Sequence, residues 1–237
     1  MSDQNQERDR GRRLKQEGLA FFGAITASLS HELNNAFAII NEHGGLLQDL
    51  LLGTQQGVPM DDRKLQRISR KIGAQVERGN ALIRRLNRFA HSADSESREI
   101  DLAELLGDIV GLSQRLAGLR MMQLELRPGP EPVRLVSNPF FLQQAVFVAF
   151  QLFWDNAEAN RLVTVVPEAS GPGVRIVIAG ARTVAPEASG EKRELLSILM
   201  EELRGEAETR SEGAAGQAIV LTLSRGVPAS VERPVSA

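Results

Sequence analysis

Cysteine and tyrosine are absent from this chain, aromatic residues make up only 4% of it, and no apolar run approaches the length of a membrane span. The missing cysteines exclude a disulfide scaffold and any thiolate-ligated metal. Histidine is scarce as well, and the three residues at 31, 43 and 91 lack metal-site spacing, so no metal centre is expected. Neither sign of charge dominates. Lys and Arg total 28 against 30 acids, a net charge of -2, which leaves no overall basic field to draw the chain to nucleic acid or anionic lipid. Crossing a bilayer takes about 20 consecutive apolar residues, and the opening "MSDQNQERDRGRRLKQEG" carries no apolar signal-peptide core. These features predict a cytoplasmic protein that binds neither nucleic acid nor membrane.

The pattern that is present is first helical and then mixed. From residue 14 to about residue 52 no proline interrupts, and Leu14, Gly18, Phe22, Ile25, Leu29, Leu33, Ala36, Ile40, Leu47 and Leu51 recur at helical steps. The segment "GTQQGVPMDD" reads as a turn whose aspartates suit the start of a new helix. A second period follows through Leu65, Ile68, Ile72, Val76, Ile83, Leu86 and Phe89, with Arg67, Arg70, Lys71, Arg78, Arg84, Arg85 and Arg88 mostly between them. The expectation is an antiparallel hairpin. One hairpin covers each apolar stripe on one side only, so a homodimer forming a four-helix bundle is expected to bury Phe22, Ile25, Ile72 and Ile83.

Past the polar linker "HSADSES" the reading is a capped helix "DLAELLGDIVGLSQRLAG", short strands "MMQLELR" and "VRLVS", and an apolar helix "NPFFLQQAVFVAFQLFWDNAEA" with Pro139 in its first turn. Alternating strands "RLVTVVP" and "GVRIVIAG", a helix "KRELLSILMEELRG" capped at Gly205, and a strand "GQAIVLTLS" complete it. Interleaved helices and strands after an all-helical start predict a separate second domain, a two-layer α/β sandwich.

One string on the first helix stands apart: "SLSHELNN", residues 28 to 35. At about 100° per residue His31 points away from Leu29 and Leu33 and toward water. Asn35 sits one turn above it, Glu32 flanks it, and Ala24, Ala27, Ser28 and Ala38 leave a shallow surface where another protein can approach the imidazole. "SHELNN" resembles the phosphoacceptor box of bacterial sensor histidine kinases, especially the nitrogen-regulatory type, and the order of hairpin, "IDLAELLGDIV" and sheet domain resembles that family over residues 15 to 224. The resemblance implies that His31 accepts phosphate, that Glu32 orients or deprotonates its ring, and that Asn35 aligns water against an aspartyl phosphate on a docked receiver domain.

The same family binds ATP through elements that this sequence does not keep. Val148 and Leu152 stand where the resemblance places two asparagines, the second of them a magnesium ligand. Asn156 and Asn160 restore an amide pair one turn or more later, and the lesser alternative is that the helix shifts and a weak nucleotide site survives on them. Gly180 stands near the adenine-reading aspartate and Arg182 near a glycine, only residues 181 to 190 remain for a lid, and "GAAG" at 213 to 216 reads as a hairpin turn rather than a phosphate loop. The resemblance therefore implies a histidine phosphotransferase of a phosphorelay that pairs the hairpin with a degenerate ATPase-like domain. It would relay phosphate between response-regulator receivers without ATP or any cofactor, and ATP-dependent autokinase activity is not expected. The alternatives are a phosphatase that uses Asn35 and a non-catalytic dimeric scaffold. The expected organisation is a tail at 1–13, the hairpin at 14–93, a linker at 94–99, the degenerate domain at 100–225 and a tail at 226–237.

Overall fold

The helical period runs further toward the N-terminus than the sequence pattern indicates. In the computed structural model, which describes residues 2–94, 96–154, 161–181, 189–212 and 216–225, α1 spans Ser2–Gln55 and α2 spans Asp62–His91. Then come β1 (Arg98–Asp101), α3 (Leu102–Gly118), β2 (Gln123–Leu126), β3 (Arg134–Ser137), α4 (Pro139–Trp154), β4 (Leu162–Ser170), β5 (Gly173–Gly180), α5 (Gly190–Glu202), β6 (Gly205–Glu212) and β7 (Gly216–Ser224).

The expected tail at 1–13 is helix from residue 2, and its anchor is tertiary. Arg10 pairs with Glu201 and Glu202, and Arg13 with Glu194 at 2.8 Å, all three acids lying on α5. At the turn between the first two helices Asp61 caps α2 by accepting from the Lys64 amide at 3.1 Å, as its position ahead of the period implies. Gly57 takes φ 91°, open to a residue without Cβ.

The second part is an α/β sandwich. Five strands in the order β2-β4-β5-β7-β6 form a mixed sheet, in which β2 and β4 run parallel and the other neighbours antiparallel. Val163 and Val165 of β4 and Val174, Ile176 and Ile178 of β5 are fully buried, in contact with the helical layer of α3 and α4. α4 is largely apolar and buried along most of its length, Gln143 and Gln144 included. Asn138 caps it, accepting from the Phe141 amide at 3.0 Å.

Two strands escape the sequence pattern. β1 takes Arg98 and Glu99 from the expected linker and pairs with β3 as a short antiparallel ribbon; only Ile100 of its four residues is buried, so it displays no apolar alternation. β6, "GEAETRSE", is a charged edge strand bonded only to β7, and an edge facing water needs no apolar alternation. Gly205, expected to cap α5, instead opens β6: Leu203 ends the helix, Arg204 adopts φ 53°, and a Cβ on Gly205 would lie 2.4 Å from the Thr222 carbonyl oxygen.

The helical part and the sandwich share one cluster of buried residues. Phe21, Ile25 and Leu29 of α1 and Leu82 and Phe89 of α2 belong to the same buried cluster as α3, α4, α5 and the sheet. Phe89 meets Phe21 edge-on with ring centroids 5.2 Å apart, and Phe21 meets Phe147 of α4 at 5.0 Å. Ile25, expected on a half-covered stripe, is fully buried within one chain for this reason. Phe22 and Ile72 stay half-buried and Ile83 exposed.

Candidate functional site

The backbone of the site is the middle of α1, where an uninterrupted helix holds side chains at fixed angles. His31 is exposed and has no hydrogen-bond partner among the described residues. Asn35, one turn on, is exposed too. Glu32 turns inward: its side chain is only 12% exposed, Arg78 of α2 donates from Nη2 to Oε2 at 3.0 Å, and Oε1 is buried without a partner. The structure thus brings His31 and Asn35 to one solvent-facing stretch and sets Glu32 at its border, tied to the second helix.

The four residues expected around the imidazole divide. Ala27 and Ala38 are exposed, and Ala24 is half-buried against the core. Ser28 is 2% exposed with its hydroxyl unpartnered, so it is not available to a docking protein. The reason is angular. Ser28 precedes Glu32 by four residues, and both share the face that turns toward α2.

The other histidines differ in kind. His43 is buried, and its Nδ1–H donates to the Ile39 carbonyl at 2.8 Å. His91 sits at the exposed end of α2 against Asp94 at 2.8 Å. Only His31 combines exposure with an unengaged ring among the described residues, which leaves one nitrogen free for nucleophilic attack.

Val148 is 3% and Leu152 1% exposed, both within the buried cluster, and neither side chain has a donor atom for magnesium. Gly180 ends β5 in register with Gln217. Asn156, Asn160, Arg182 and the centre of "GAAG" lie outside the described residues; Glu212 of β6 pairs with Gly216 of β7. No group of three potential metal ligands occurs among the described residues, and no helix among them is long and apolar enough to cross a membrane.

Charge at the junction of α2 and α3 is the feature the sequence pattern did not resolve. Asp108 of α3, 5% exposed, accepts two hydrogen bonds from Arg88, at 2.6 Å from Nε and 2.5 Å from Nη2. Those bonds push the Arg88 guanidinium above its ordinary pKa, against the opposing effect of its burial. The basic face of α2 is thus spent in part on the protein itself.

No family model matches the chain, and no curated protein matches it. Among solved structures it is similar to the Acinetobacter baumannii histidine kinase AdeS, at 13% identity over 83% of this chain and 98% of that one, with a TM-score of 0.46. The ATP binding domain of PrrB from Mycobacterium tuberculosis aligns at 21% identity over 56% of this chain and 100% of its own, TM-score 0.48. The histidine kinase ThkA in complex with response regulator protein TrrA aligns at 19% identity over 94% and 66%, TM-score 0.44.

Proposed function

We propose that the chain is a histidine phosphotransferase, carrying phosphoryl groups between the aspartates of response-regulator receivers through His31. The observation that carries this reading is the exposed, unengaged imidazole of His31 beside Glu32 and Asn35, in a hairpin whose two other histidines are engaged. A ring nitrogen of His31 attacks the phosphorus of an aspartyl phosphate; the N–P bond forms as the P–O bond breaks, the receiver carboxylate leaves, and the ring proton passes to Glu32 or water. Attack by a second receiver's carboxylate on the same phosphorus reverses the step and frees the imidazole.

The test is incubation of the full chain with each receiver domain from the same cell, phosphorylated with labelled phosphate, following label onto this chain. Transfer of acid-labile, base-stable label supports the reading; no transfer from any receiver refutes it. Asn35, exposed one turn from His31, supports a second reading as a receiver phosphatase, recognised by label lost to solvent without a labelled chain. A non-catalytic scaffold would bind receivers and change neither.

ATP is not a substrate in this reading. Calorimetry with magnesium and ATP is expected to give no dissociation constant below about 100 μM, within the range where enzymes commonly bind substrates. Val148→Asn is expected not to restore binding, and to cost about 1–3 kcal/mol by burying an amide without partners.

A homodimer through the hairpin belongs to the same reading. Leu19, Phe37, Leu51, Leu52, Val76 and Ile83 expose between 43% and 75% of their surface on α1 and α2, and covering apolar area contributes roughly 25 cal/mol per Å². Light scattering at micromolar concentration is expected to report twice the mass of one chain; the mass of a monomer would refute it.

A further inference from the structure

We propose that Arg85 is a preorganised anchor for a carboxylate of the partner protein, received in the groove between the hairpin and the sandwich beside Glu32. The proposal rests on the phosphotransfer reading for the partner's identity as a receiver, and on the groove itself for the chemistry. That groove, of about 530 Å³, runs between α2, α3 and β2, with Glu32, Arg78, Arg85, Gly111, Gln114 and Glu125 on its walls. Glu32, on its wall, follows His31 by one residue on α1, and the proposal places a receiver bound at the imidazole over the groove as well.

Three arginines of α2 face this junction, and two are committed. Arg78 holds Glu32 at 3.0 Å, and Arg88 fills both oxygens of Asp108. Arg85 reaches Asp108 only at 4.0 Å, with its side chain 38% exposed, and makes no hydrogen bond among the described residues. Its guanidinium lies against α3 at Gly111, where a Cβ would stand 2.8 Å from Cζ and Nη1 and 3.0 Å from Nε. A glycine inside a helix costs up to about 1 kcal/mol relative to alanine; here it makes room for a guanidinium to lie flat on the helix. A fork fixed this way has less freedom to lose on binding, and its planar donors match a carboxylate with two bonds.

The other wall indicates how the occupant is recognised. Gln114 donates from Nε2 to the Leu124 carbonyl at 2.5 Å and accepts from the Leu124 amide at 3.3 Å. This side-chain amide occupies the open edge of β2 and bars a partner strand from pairing there. Recognition therefore falls to side chains, with Arg85, ion-paired to Asp108 only at 4.0 Å and without a hydrogen bond among the described residues, as the charged donor and an aspartate or glutamate of the receiver as its counterpart.

The experiment titrates the full chain with the receiver that exchanges phosphate with it, following the dissociation constant and the melting temperature. Arg85→Gln is expected to weaken binding by about tenfold or more, as loss of a desolvated interface charge does, with the melting temperature unchanged. Gly111→Ala leaves Arg85 in the sequence but displaces its guanidinium; it is expected to weaken binding about fivefold while the melting temperature holds or rises, because alanine is the better helix former. Arg161→Gln, the same charge change at an exposed residue that does not line the groove, is expected to stay within about twofold, as solvent screening of an exposed charge dictates. Binding by Arg85→Gln or Gly111→Ala as tight as wild type, or an equal loss from Arg161→Gln, overturns the anchor and leaves the phosphotransfer reading standing. A wild-type chain that binds no receiver overturns both.

Discussion

His31→Gln abolishes the acid-labile label that the chain acquires from a phosphorylated receiver, and does so without unfolding it. Glutamine keeps a polar side chain of similar reach but has no nitrogen that can attack phosphorus and hold it as a phosphoramidate. The expected loss is total, limited only by the sensitivity of the assay. Stability moves little, by no more than about 0.5 kcal/mol, because an exposed side chain without partners contributes little to the folded state; circular dichroism and thermal melting check this. Asn35→Ala separates the readings. Transfer survives it in a phosphotransferase, whereas a phosphatase loses release of phosphate with Asn35→Ala and keeps it with His31→Gln. His43→Gln and His91→Gln serve as controls, since one ring is buried against the Ile39 carbonyl and the other lies at the end of α2 against Asp94. Label lost with His43→Gln and kept with His31→Gln would overturn the assignment.

Phe89→Ala is expected to destabilise the chain by about 3–5 kcal/mol, the usual cost of removing a buried aromatic side chain from a core. Phe89 is 0% exposed and stands where three helices meet: its ring packs against Phe21 and Phe22 of α1, at centroid distances of 5.2 and 5.3 Å, and against Phe140 of α4 at 6.1 Å. Collapse cannot fill the hole cheaply, because α1, α2 and α4 are each held by further contacts. In a chain of this size the melting temperature should fall by roughly 10 °C. The hairpin and the sandwich share this cluster, so one cooperative transition is expected in wild type. Two resolved transitions, or a loss below about 1 kcal/mol, would show that the helices and the sheet do not stabilise each other through Phe89.

Much of the architecture was legible because it follows from local chemistry. The period of Leu65, Ile68, Ile72, Val76, Ile83, Leu86 and Phe89 gave α2, and Asp61 marked its start. Alternation in "RLVTVVP" and "GVRIVIAG" gave β4 and β5. The exposure of His31 and Asn35 follows from helix angles alone, since both lie off the apolar stripe through Leu29, Leu33 and Ala36.

What the amino-acid sequence by itself determined, then, is which segments become helix or strand and which way most side chains point from their own element, because those depend on neighbours a few residues away. Tertiary structure alone decided what each face meets. The residues of α1 before position 14 are helix against α5 because Arg10 and Arg13 find Glu194, Glu201 and Glu202 some 180 residues away. β6 is a strand because β7 offers it a ladder. Ser28 is covered and Glu32 is tied to Arg78 because α1 packs on α2, and Arg85 lies on Gly111 because the hairpin docks on the sandwich through Phe21 and Phe89. A one-dimensional period shows that a face is apolar or charged; which distant surface covers it is set by shape and charge complementarity between elements, and that exists only once the chain has closed on itself.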